Sequence, residues 1–375
     1  MDFGQTPAQS DAVAHARAQA LAFDAALRPA ERAFWQAAGE NGWVGYCLPT
    51  AAGGAGFDAL TTVLVVEALG RAGVSRSALF AMGAHLFGCA MVVANHASAV
   101  DQQHWLPRLA RGDAVGALAL TEPEGGSDLA DLDCTITEDG DTLILNGVKT
   151  LVSNAPMADL FIVSARQTGP RSALNNAALC VPRDTPGVSV APVTGSLGLR
   201  DAPMGRVTFD AVRLPPTAYL GGKGRALPVI LSAMQWERSC ILAGFLGAAD
   251  RDLVAVTGHL AARRDSKGSV LGHQAVLHSL AEVRASLESA RWTLYRSASA
   301  LDQGEDPIFH PAASKLVVSR AIVSAARTLQ EVMAGAGWLD TLGIASSLAD
   351  VMGTLSASGS TFVQLNAIGA RLTRK

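Results

Sequence analysis

The chain has 375 residues, of which 49% are hydrophobic and only 17% are charged, and its formal net charge is −3. An average globular chain has about 25% charged residues, so we expect part of the outer surface of this protein to be covered by a partner subunit. The slight negative charge argues against nucleic-acid binding, which needs a basic face.

The cysteines argue against a disulfide framework and against a zinc site. They are odd in number, far apart and without C-x-x-C spacing: Cys47, Cys89, Cys134, Cys180 and Cys240. This pattern is typical of a reducing compartment. The N-terminus has neither the basic region nor the apolar region of a secretion signal. We therefore expect a cytoplasmic protein.

Residues 1–114 are predicted to form a helical domain. Residues 12–27 are rich in alanine and have helical periodicity, Pro29 is placed at the opening of a second helix, residues 53–56 form a glycine turn, and residues 60–69 begin the next helix. Residues 77–100 carry no formal charge and resemble a membrane span. Polar side chains such as His85 interrupt them and no second span follows, so we expect a helix buried in a soluble core.

Residues 115–225 are predicted to form a β domain. Its short runs alternate apolar and polar residues or are rich in Val, Ile and Thr, and they cover residues 143–147, 160–165, 178–181, 188–193 and 207–209. Gly, Pro, Asn and Asp separate these runs, which is typical of an antiparallel sheet with tight turns. The dipeptide Asn146-Gly147 predicts a hairpin turn.

Residues 226–375 are predicted to be helical again. Four long helices are expected, over residues 227–263, 271–301, 311–334 and 342–371, and this pattern favours an up-and-down four-helix bundle. The domain order α, β, α predicts an α+β fold.

The most specific motif covers residues 117–128 and reads ALALTEPEGGSD. A short strand leads into a glycine-containing loop that carries hydroxyl groups at both ends, on Thr121 and Ser127. Backbone N–H groups and hydroxyls in such a loop can bind the polar edges or phosphates of a cofactor. The same residues are also ordinary turn chemistry, so the motif alone leaves both interpretations open.

The whole chain resembles the acyl-CoA dehydrogenase superfamily. Residues 121–128 match its TEPxxGSD signature, residues 146–155 are similar to its NGxKxxxTNA segment, and residues 207–215 are similar to its FDxVRVP segment. The resemblance implies FAD, an N-terminal helical domain, a central antiparallel β domain, a C-terminal four-helix bundle and commonly a homotetramer. It places Leu120, Thr121, Gly126, Ser127, Leu151 and Ser153 against the flavin, and Ser127 also against the substrate.

The reaction of this family needs a carboxylate that removes the α-proton of a thioester while the β-hydride moves to the flavin. The family supplies the glutamate from either of two positions. Near the C-terminus that position holds Ser358, which cannot act as a base; the other position holds Glu237, in an apolar run where burial would raise its pKa.

An ion pair is the alternative role for Glu237, because Arg238 is adjacent and Arg251 lies further along the helix. Residues i and i+1 do not face each other on a helix. We therefore predict that Glu237 is the base and that Arg238 binds substrate.

A finer resemblance concerns the substrate. Residues 153–159, 232–238, 245–247 and 287–291 are similar to the branch that oxidises prolyl groups on carrier proteins during pyrrole formation. An aminoacyl thioester on a phosphopantetheine arm, in secondary metabolism, is therefore favoured over the substrate of an ordinary acyl-CoA dehydrogenase. An electron-transfer protein or oxygen would reoxidise the flavin.

Several dinucleotide-contacting stretches depart from the family pattern. Ser266 replaces a phenylalanine, Glu331 replaces a glutamine and Ala349 replaces an arginine. The resemblance still assigns cofactor contacts to Arg263 (with the FAD of a neighbouring subunit), His273, Gln274, Glu331, Gly335, Gly359, Ser360 and Thr361.

Two hypotheses follow from these departures. One is a working FAD dehydrogenase with a weaker grip on the dinucleotide, and the other is a redox-inactive partner subunit with a degenerate FAD site. The intact residues 117–128 and Glu237 favour the first.

Other residues have weaker functional claims. The histidines have no metal-ligand spacing, so no metal site is expected. Trp105, Trp292 and Trp338 are predicted to be core residues. Lys315 and Arg320 are predicted to lie on a solvated helix face or at a subunit contact.

Overall fold

The computed structural model describes residues 4–128, 131–169, 171–340 and 342–372. Residues 1–3, part of the N-terminus considered above for a secretion signal, lie outside these ranges. The N-terminal helices are α1 (Pro7–Ala22), α2 (Arg32–Glu40), α3 (Ala59–Ala72), α4 (Arg76–Gly83), α5 (Met91–His96) and α6 (Ala99–Ala110). A π-helical turn, Ala84–Ala90, joins α4 to α5.

Side-chain caps start most of these helices. Thr6 and Gln9 form a reciprocal capping box at α1, and the side chains of Asp58 and Ser75 accept hydrogen bonds from the first turns of α3 and α4. Helix α1 ends earlier than predicted because the Asp24 carboxylate accepts a hydrogen bond from the backbone N–H of Ala26 (2.8 Å), which competes with helix continuation. Pro29 lies outside α2 rather than at its opening.

The apolar helix Arg76–His96 is long and apolar enough to cross a membrane, but 89% of its most apolar stretch is buried inside the protein. The prediction of a buried core helix is confirmed. His85 is fully buried in it, where its Nδ1 accepts a hydrogen bond from the Gly116 backbone N–H (2.9 Å) and its Nε2 contacts the Leu109 carbonyl (3.2 Å). Burial lowers the pKa of His85 to about 4, so this histidine is a neutral structural residue.

The central domain is a seven-stranded mixed sheet. Its strands are β1 (Gly116–Ala119), β2 (Thr135–Asp139), β3 (Thr142–Ser153), β4 (Leu160–Gln167), β5 (Asn176–Pro182), β6 (Val188–Pro192) and β7 (Met204–Leu214), in the order β1-β4-β2-β3-β7-β6 with β5 also on β4. The predicted strands are confirmed. Most pairs are antiparallel as expected, but β1 and β2 pair with β4 in parallel.

The hairpin turn predicted at Asn146-Gly147 is wrong. Both residues lie inside β3, and the β2–β3 turn is at Gly140, whose φ is 59°. At Gly147 the pairing of β3 with β7 shifts register, and a Cβ there would lie only 2.6 Å from the Cα of Cys134. The Asn146 side chain accepts a hydrogen bond from the Ala211 N–H (2.8 Å). The dipeptide therefore forms a β-bulge. A glycine that tolerates positive φ suits a β-bulge as well as it suits a hairpin turn.

The C-terminal helices are α7 (Ala226–Cys240), α8 (Ala243–Ala262), α9 (Gln274–Asp302), α10 (Phe309–Met333), α11 (Gly335–Trp338), α12 (Ile344–Met352) and α13 (Thr361–Leu372), with a small hairpin of β8 (Arg264–Asp265) and β9 (Gly268–Ser269) before α9. The first and last predicted helices are each broken in two. The break before α13 follows from Ser358 and Gly359, whose φ values of 54° and 90° cannot continue a right-handed helix.

Hydrogen bonds give the register of the bundle. The hydroxyls of Ser239 and Ser297 lie 2.8 Å apart, and further along α8 Asp250 pairs with Arg291 of α9. Helix α9 is therefore antiparallel to the α7–α8 pair, and α10 runs back along α9. The N-terminal and C-terminal helices share one continuous hydrophobic core, to which one face of β4 and β5 contributes, and the β domain also has a second core of its own.

A buried ionic cluster joins α3, α8 and α9. Arg291 donates to Glu67 Oε1 (2.9 Å) and pairs with Asp250, and Tyr295 donates to Glu67 Oε2 (2.6 Å). All three charged side chains are less than 10% exposed. Nearby, a Cβ on Gly70 would lie 1.9 Å from a backbone oxygen of α8, so α3 and α8 touch backbone to backbone.

Candidate active site

Glu237 lies in the last turn of α7 and is only 7% exposed. Burial raises its pKa from the ordinary value of 4.5 to about 7. The Ser358 hydroxyl donates a hydrogen bond to its Oε2 (2.8 Å), and this bond and the charge of Arg238 each hold the pKa below the value that burial alone would give. The carboxyl group therefore titrates near neutral pH, as predicted from its apolar run.

The other carboxylate oxygen faces the π-helical turn and strand β1. A Cβ placed on Gly88 would lie 2.6 Å from Glu237 Oε1 and 3.3 Å from the Cβ of Leu118. The carboxylate therefore stands beside the end of β1, next to the start of the predicted cofactor loop. π-helical turns inside α-helices are frequent at functional sites.

A buried ion pair ties the two predicted cofactor segments together. Lys149 is fully buried, and its Nζ donates to Glu122 Oε1 (2.8 Å) and to the Leu120 carbonyl (3.0 Å). Glu122 also accepts hydrogen bonds from the backbone N–H groups of Asp133 (2.6 Å) and Cys134 (3.0 Å). This ion pair was not predicted from the sequence, although Glu122 and Lys149 are defined positions of the two motifs.

This pair leaves the ends of β1 and β3 side by side. The Thr150 N–H donates to the Thr121 carbonyl (2.8 Å), so Leu120 and Thr121 lie beside Leu151 and Ser153. Leu151 is 57% exposed and its φ is 52°, an uncommon conformation for leucine. Further along the loop Gly126 and Ser127 are exposed. The structure thus brings the loop after β1 and the end of β3 together, at the end of the strand that Glu237 faces.

The turn between α12 and α13 is adjacent to the same carboxylate. Gly359, Ser360 and Thr361 follow Ser358 directly, and α13 begins at Thr361. The Arg238 Nε donates to the Ser358 carbonyl (3.0 Å). Arg238 thus contacts this turn, and burial lowers its pKa. Its predicted contact with substrate stays a prediction.

Arg238 also lines a cleft of about 240 Å³ between α7 and α13, together with Leu231, Met234, Pro307, Ile308, Ala367, Ala370 and Arg371. Arg371 pairs with Asp306.

The remaining predicted cofactor residues lie elsewhere in the bundle. Arg263 follows the end of α8, His273 and Gln274 stand at the start of α9, and Glu331 and Gly335 stand at the end of α10. Helix α8 has 20 residues and is about 30 Å long, so this end is far from the α7–α8 junction near Glu237. The predicted residues therefore form two separate groups.

Burial corrects or confirms the predictions for five other residues. Lys315 is 1% exposed rather than solvated, because its Nζ donates to the Thr354 carbonyl (2.5 Å) inside the bundle. Trp292 and Trp338 are exposed rather than core residues, whereas Trp105 is buried and Arg320 is exposed as expected. Within the described residues, no three His, Cys, Asp or Glu side chains are grouped so that they could hold a metal ion.

Comparison with known proteins gives matches along the whole chain. Residues 9–113, 117–212 and 224–373 match the family models of the acyl-CoA dehydrogenase N-terminal, middle and C-terminal domains. The L-prolyl-[peptidyl-carrier protein] dehydrogenase of Pseudomonas fluorescens is 35% identical over 339 residues, which are 90% of this chain and 89% of that protein.

Solved structures agree with these matches. A crystal structure of an FAD-dependent dehydrogenase is 34% identical, with a TM-score of 0.95 and 99% of each chain covered. A structure of the FAD complex of PigA is 28% identical, with a TM-score of 0.94 and 99% of each chain covered.

Proposed function

This chain belongs to the acyl-CoA dehydrogenase family, and we propose that it is an FAD-dependent dehydrogenase that oxidises a prolyl or related aminoacyl thioester on a carrier protein. The observation that carries the proposal is Glu237, a buried carboxylate with a pKa of about 7 that stands at the end of β1. A base is most effective when its pKa lies near the working pH.

The surface beside Glu237 fits a flavin. The loop after β1 offers exposed backbone at Gly126 and hydroxyls on Thr121 and Ser127, which suit the polar edge of the ring. The exposed Leu151 side chain offers an apolar surface that a flat ring would cover. We propose that these residues hold FAD together with Leu120, Ser153, Gly359, Ser360 and Thr361.

When bound, FAD supplies an acceptor for the β-hydride of the substrate. Glu237 takes the α-proton from the opposite side of the acyl group. The carboxylate is mostly ionised above its pKa of about 7. Its burial also keeps most competing water away from the base. The Lys149–Glu122 pair is buried and holds the loop in place.

The second group of predicted residues supports a homo-oligomer. Arg263, His273 and Gln274 lie about 30 Å from the α7–α8 junction, measured along α8. We propose that they, with Glu331 and Gly335, serve the FAD of a neighbouring copy. The exposed Trp338 and Leu339 lie at the same end of the bundle, are 80% and 77% exposed, and provide apolar surface for that contact.

Subunit mixing tests this arrangement. Co-expressed Glu237→Gln and Arg263→Ala chains should regain activity that neither variant has alone, because a mixed oligomer contains sites with both residues intact. Co-expression that leaves activity at the level of the better single variant would show that each chain completes its own site.

The substrate class is tested by anaerobic mixing of the purified flavoprotein with prolyl-loaded carrier protein, with prolyl-CoA and with a short-chain acyl-CoA. We expect flavin bleaching to be fastest with the carrier protein. Bleaching by the acyl-CoA alone would support the ordinary acyl-CoA dehydrogenase, and protein that takes up no FAD would support the redox-inactive subunit. Oxygen consumption during turnover distinguishes oxygen from a protein electron acceptor.

The five cysteines are all free and buried, which suits a reducing compartment. We therefore propose a cytoplasmic location.

A further inference from the structure

Ser358 has an unusual backbone conformation for a serine. Its φ of 54° lies in the left-handed region, which non-glycine residues seldom adopt. Such a conformation persists where surrounding contacts over-determine it, and it is concentrated at functional sites. Ser358 stands in the turn between α12 and α13, directly before Gly359.

Side chains from three helices hold this turn. Arg238 of α7 and Gln364 of α13 both donate to the Ser358 carbonyl, at 3.0 and 3.2 Å, and Gln364 donates also to the Gly359 carbonyl (2.9 Å). Lys315 of α10 donates to the carbonyl of Thr354, which precedes the turn. Gln364 and Lys315 are buried. The conformation of Ser358 is thus fixed by the bundle itself.

The consequence is that the two oxygens of Glu237 have different surroundings. Oε2 accepts the hydrogen bond from the Ser358 hydroxyl (2.8 Å). Oε1 faces Gly88 and Leu118, and among the described residues the side-chain hydrogen bond to this carboxylate is the one on Oε2. Because Gly88 has no side chain, Oε1 can approach the backbone of the π-helical turn, where a Cβ would lie only 2.6 Å from it.

We propose that Ser358 is a positioning residue that holds Glu237 Oε2, so that Oε1 is the oxygen that receives the substrate α-proton. In this step the Cα–H bond breaks, an O–H bond forms on Oε1, and the electron pair left behind forms the α,β double bond as the β-hydride leaves to the flavin. The inference rests on the proposed function, since it assigns atoms to the same base.

Within the described residues, the charged group that shifts the pKa of Glu237 is Arg238, next to it on α7. Burial and the charge of Arg238 both lower the pKa of Lys315 on α10. From the π-helical turn, His85 points instead to the Leu109 and Gly116 backbone. A change in the titration of Glu237 after a change at Ser358 is therefore assignable to the lost hydroxyl.

The test uses Ser358→Ala and Ser358→Gly in the FAD-loaded enzyme, with Ser356→Ala as the matched control. Ser356 is exposed and its hydroxyl donates only to the nearby Gly353 carbonyl. Two measurements are made from pH 5 to 10: the rate of anaerobic flavin reduction, and the carboxyl band of Glu237 in infrared spectra of wild type minus Glu237→Gln without substrate.

Both Ser358 variants should move the midpoint of both titrations upward by about one pH unit, because the ionised carboxylate loses a hydrogen bond. The reduction rate above the new midpoint should also fall about tenfold with little change in KM, because the base is less well aimed. Ser356→Ala should match the wild type.

The two variants separate the hydroxyl from the backbone, because glycine adopts positive φ without strain. If Ser358→Gly behaves as wild type while Ser358→Ala does not, the residue serves the backbone turn and the proposal is overturned. It is also overturned if neither variant moves the infrared midpoint. If Glu237→Gln itself reduces flavin at the wild-type rate, the proposed function fails instead.

Discussion

Replacement of Glu237 by glutamine should make the protein more stable while it abolishes flavin reduction. The folded-state pKa of Glu237 is about 7 against an ordinary value of 4.5. Between these values the folded state binds more protons than the unfolded state, so stability falls as pH rises from 4.5 to 7. Above pH 7 the whole penalty is present, and below pH 4.5 it is absent.

The size of the penalty follows from the pKa shift. Each pKa unit is worth about 1.4 kcal/mol, so the charge of Glu237 costs about 3 kcal/mol at pH 8. The residue is 7% exposed, so solvent screening reduces this little. Glutamine keeps an oxygen that can accept the Ser358 hydrogen bond. With an unfolding entropy of about 2 cal/mol/K per residue, the gain at pH 8 corresponds to about 4 °C in Tm.

The assay is differential scanning fluorimetry of the wild type and Glu237→Gln at pH 4.5, 6 and 8, both saturated with FAD. The difference between the two Tm values should be near zero at pH 4.5 and should grow to about 4 °C at pH 8. All other titrating groups are common to both proteins, so they cancel. A difference that is the same at all three pH values would show that the carboxylate is not destabilised by burial.

Three further predictions concern stability. Lys149→Met should cost about 3–5 kcal/mol of unfolding free energy in urea denaturation, because it leaves Glu122 buried without its cation; a loss below 1 kcal/mol would contradict the buried pair. Arg291→Met should cost less, roughly 1–3 kcal/mol, because Glu67 and Asp250 lose their buried partner but keep the ion pairs with Arg71. In the same assay Arg284→Ala, at a 60% exposed side chain, should change stability by less than about 1 kcal/mol. Gly70→Ala should lower Tm by several degrees, since its Cβ would meet α8 backbone at 1.9 Å; an unchanged Tm would mean that α3 and α8 can separate freely.

Local patterns in the sequence were sufficient for the class of structure. Alternating short runs gave the strands, and the uncharged stretch at 77–100 gave a core helix. Glu237 was predicted to be the base from the resemblance to the family, and the apolar run around it predicted the raised pKa. The residues near one another along the chain, such as Thr121 and Ser127, were also placed on one surface.

Contacts between residues that are far apart in the chain could not be predicted from such local patterns. The bulge at Gly147 depends on how closely Cys134 approaches it, and an Asn-Gly pair carries no information about that distance. Nothing in the sequence around Lys315 distinguishes it from an exposed lysine. Its burial is explained by the hydrogen bond to the Thr354 carbonyl. The break before α13 depends on the Ser358 turn, which three separate helices hold.

The single core shared by the first and last helices has a consequence for synthesis of the chain. Helices α1–α6 leave the ribosome first, but the helices that cover their apolar faces begin only at Ala226. At typical translation speeds the delay is on the order of ten seconds. During that time the β domain, with its separate core, can already fold. We therefore expect the nascent N-terminal third to be the part of this protein that most depends on chaperones.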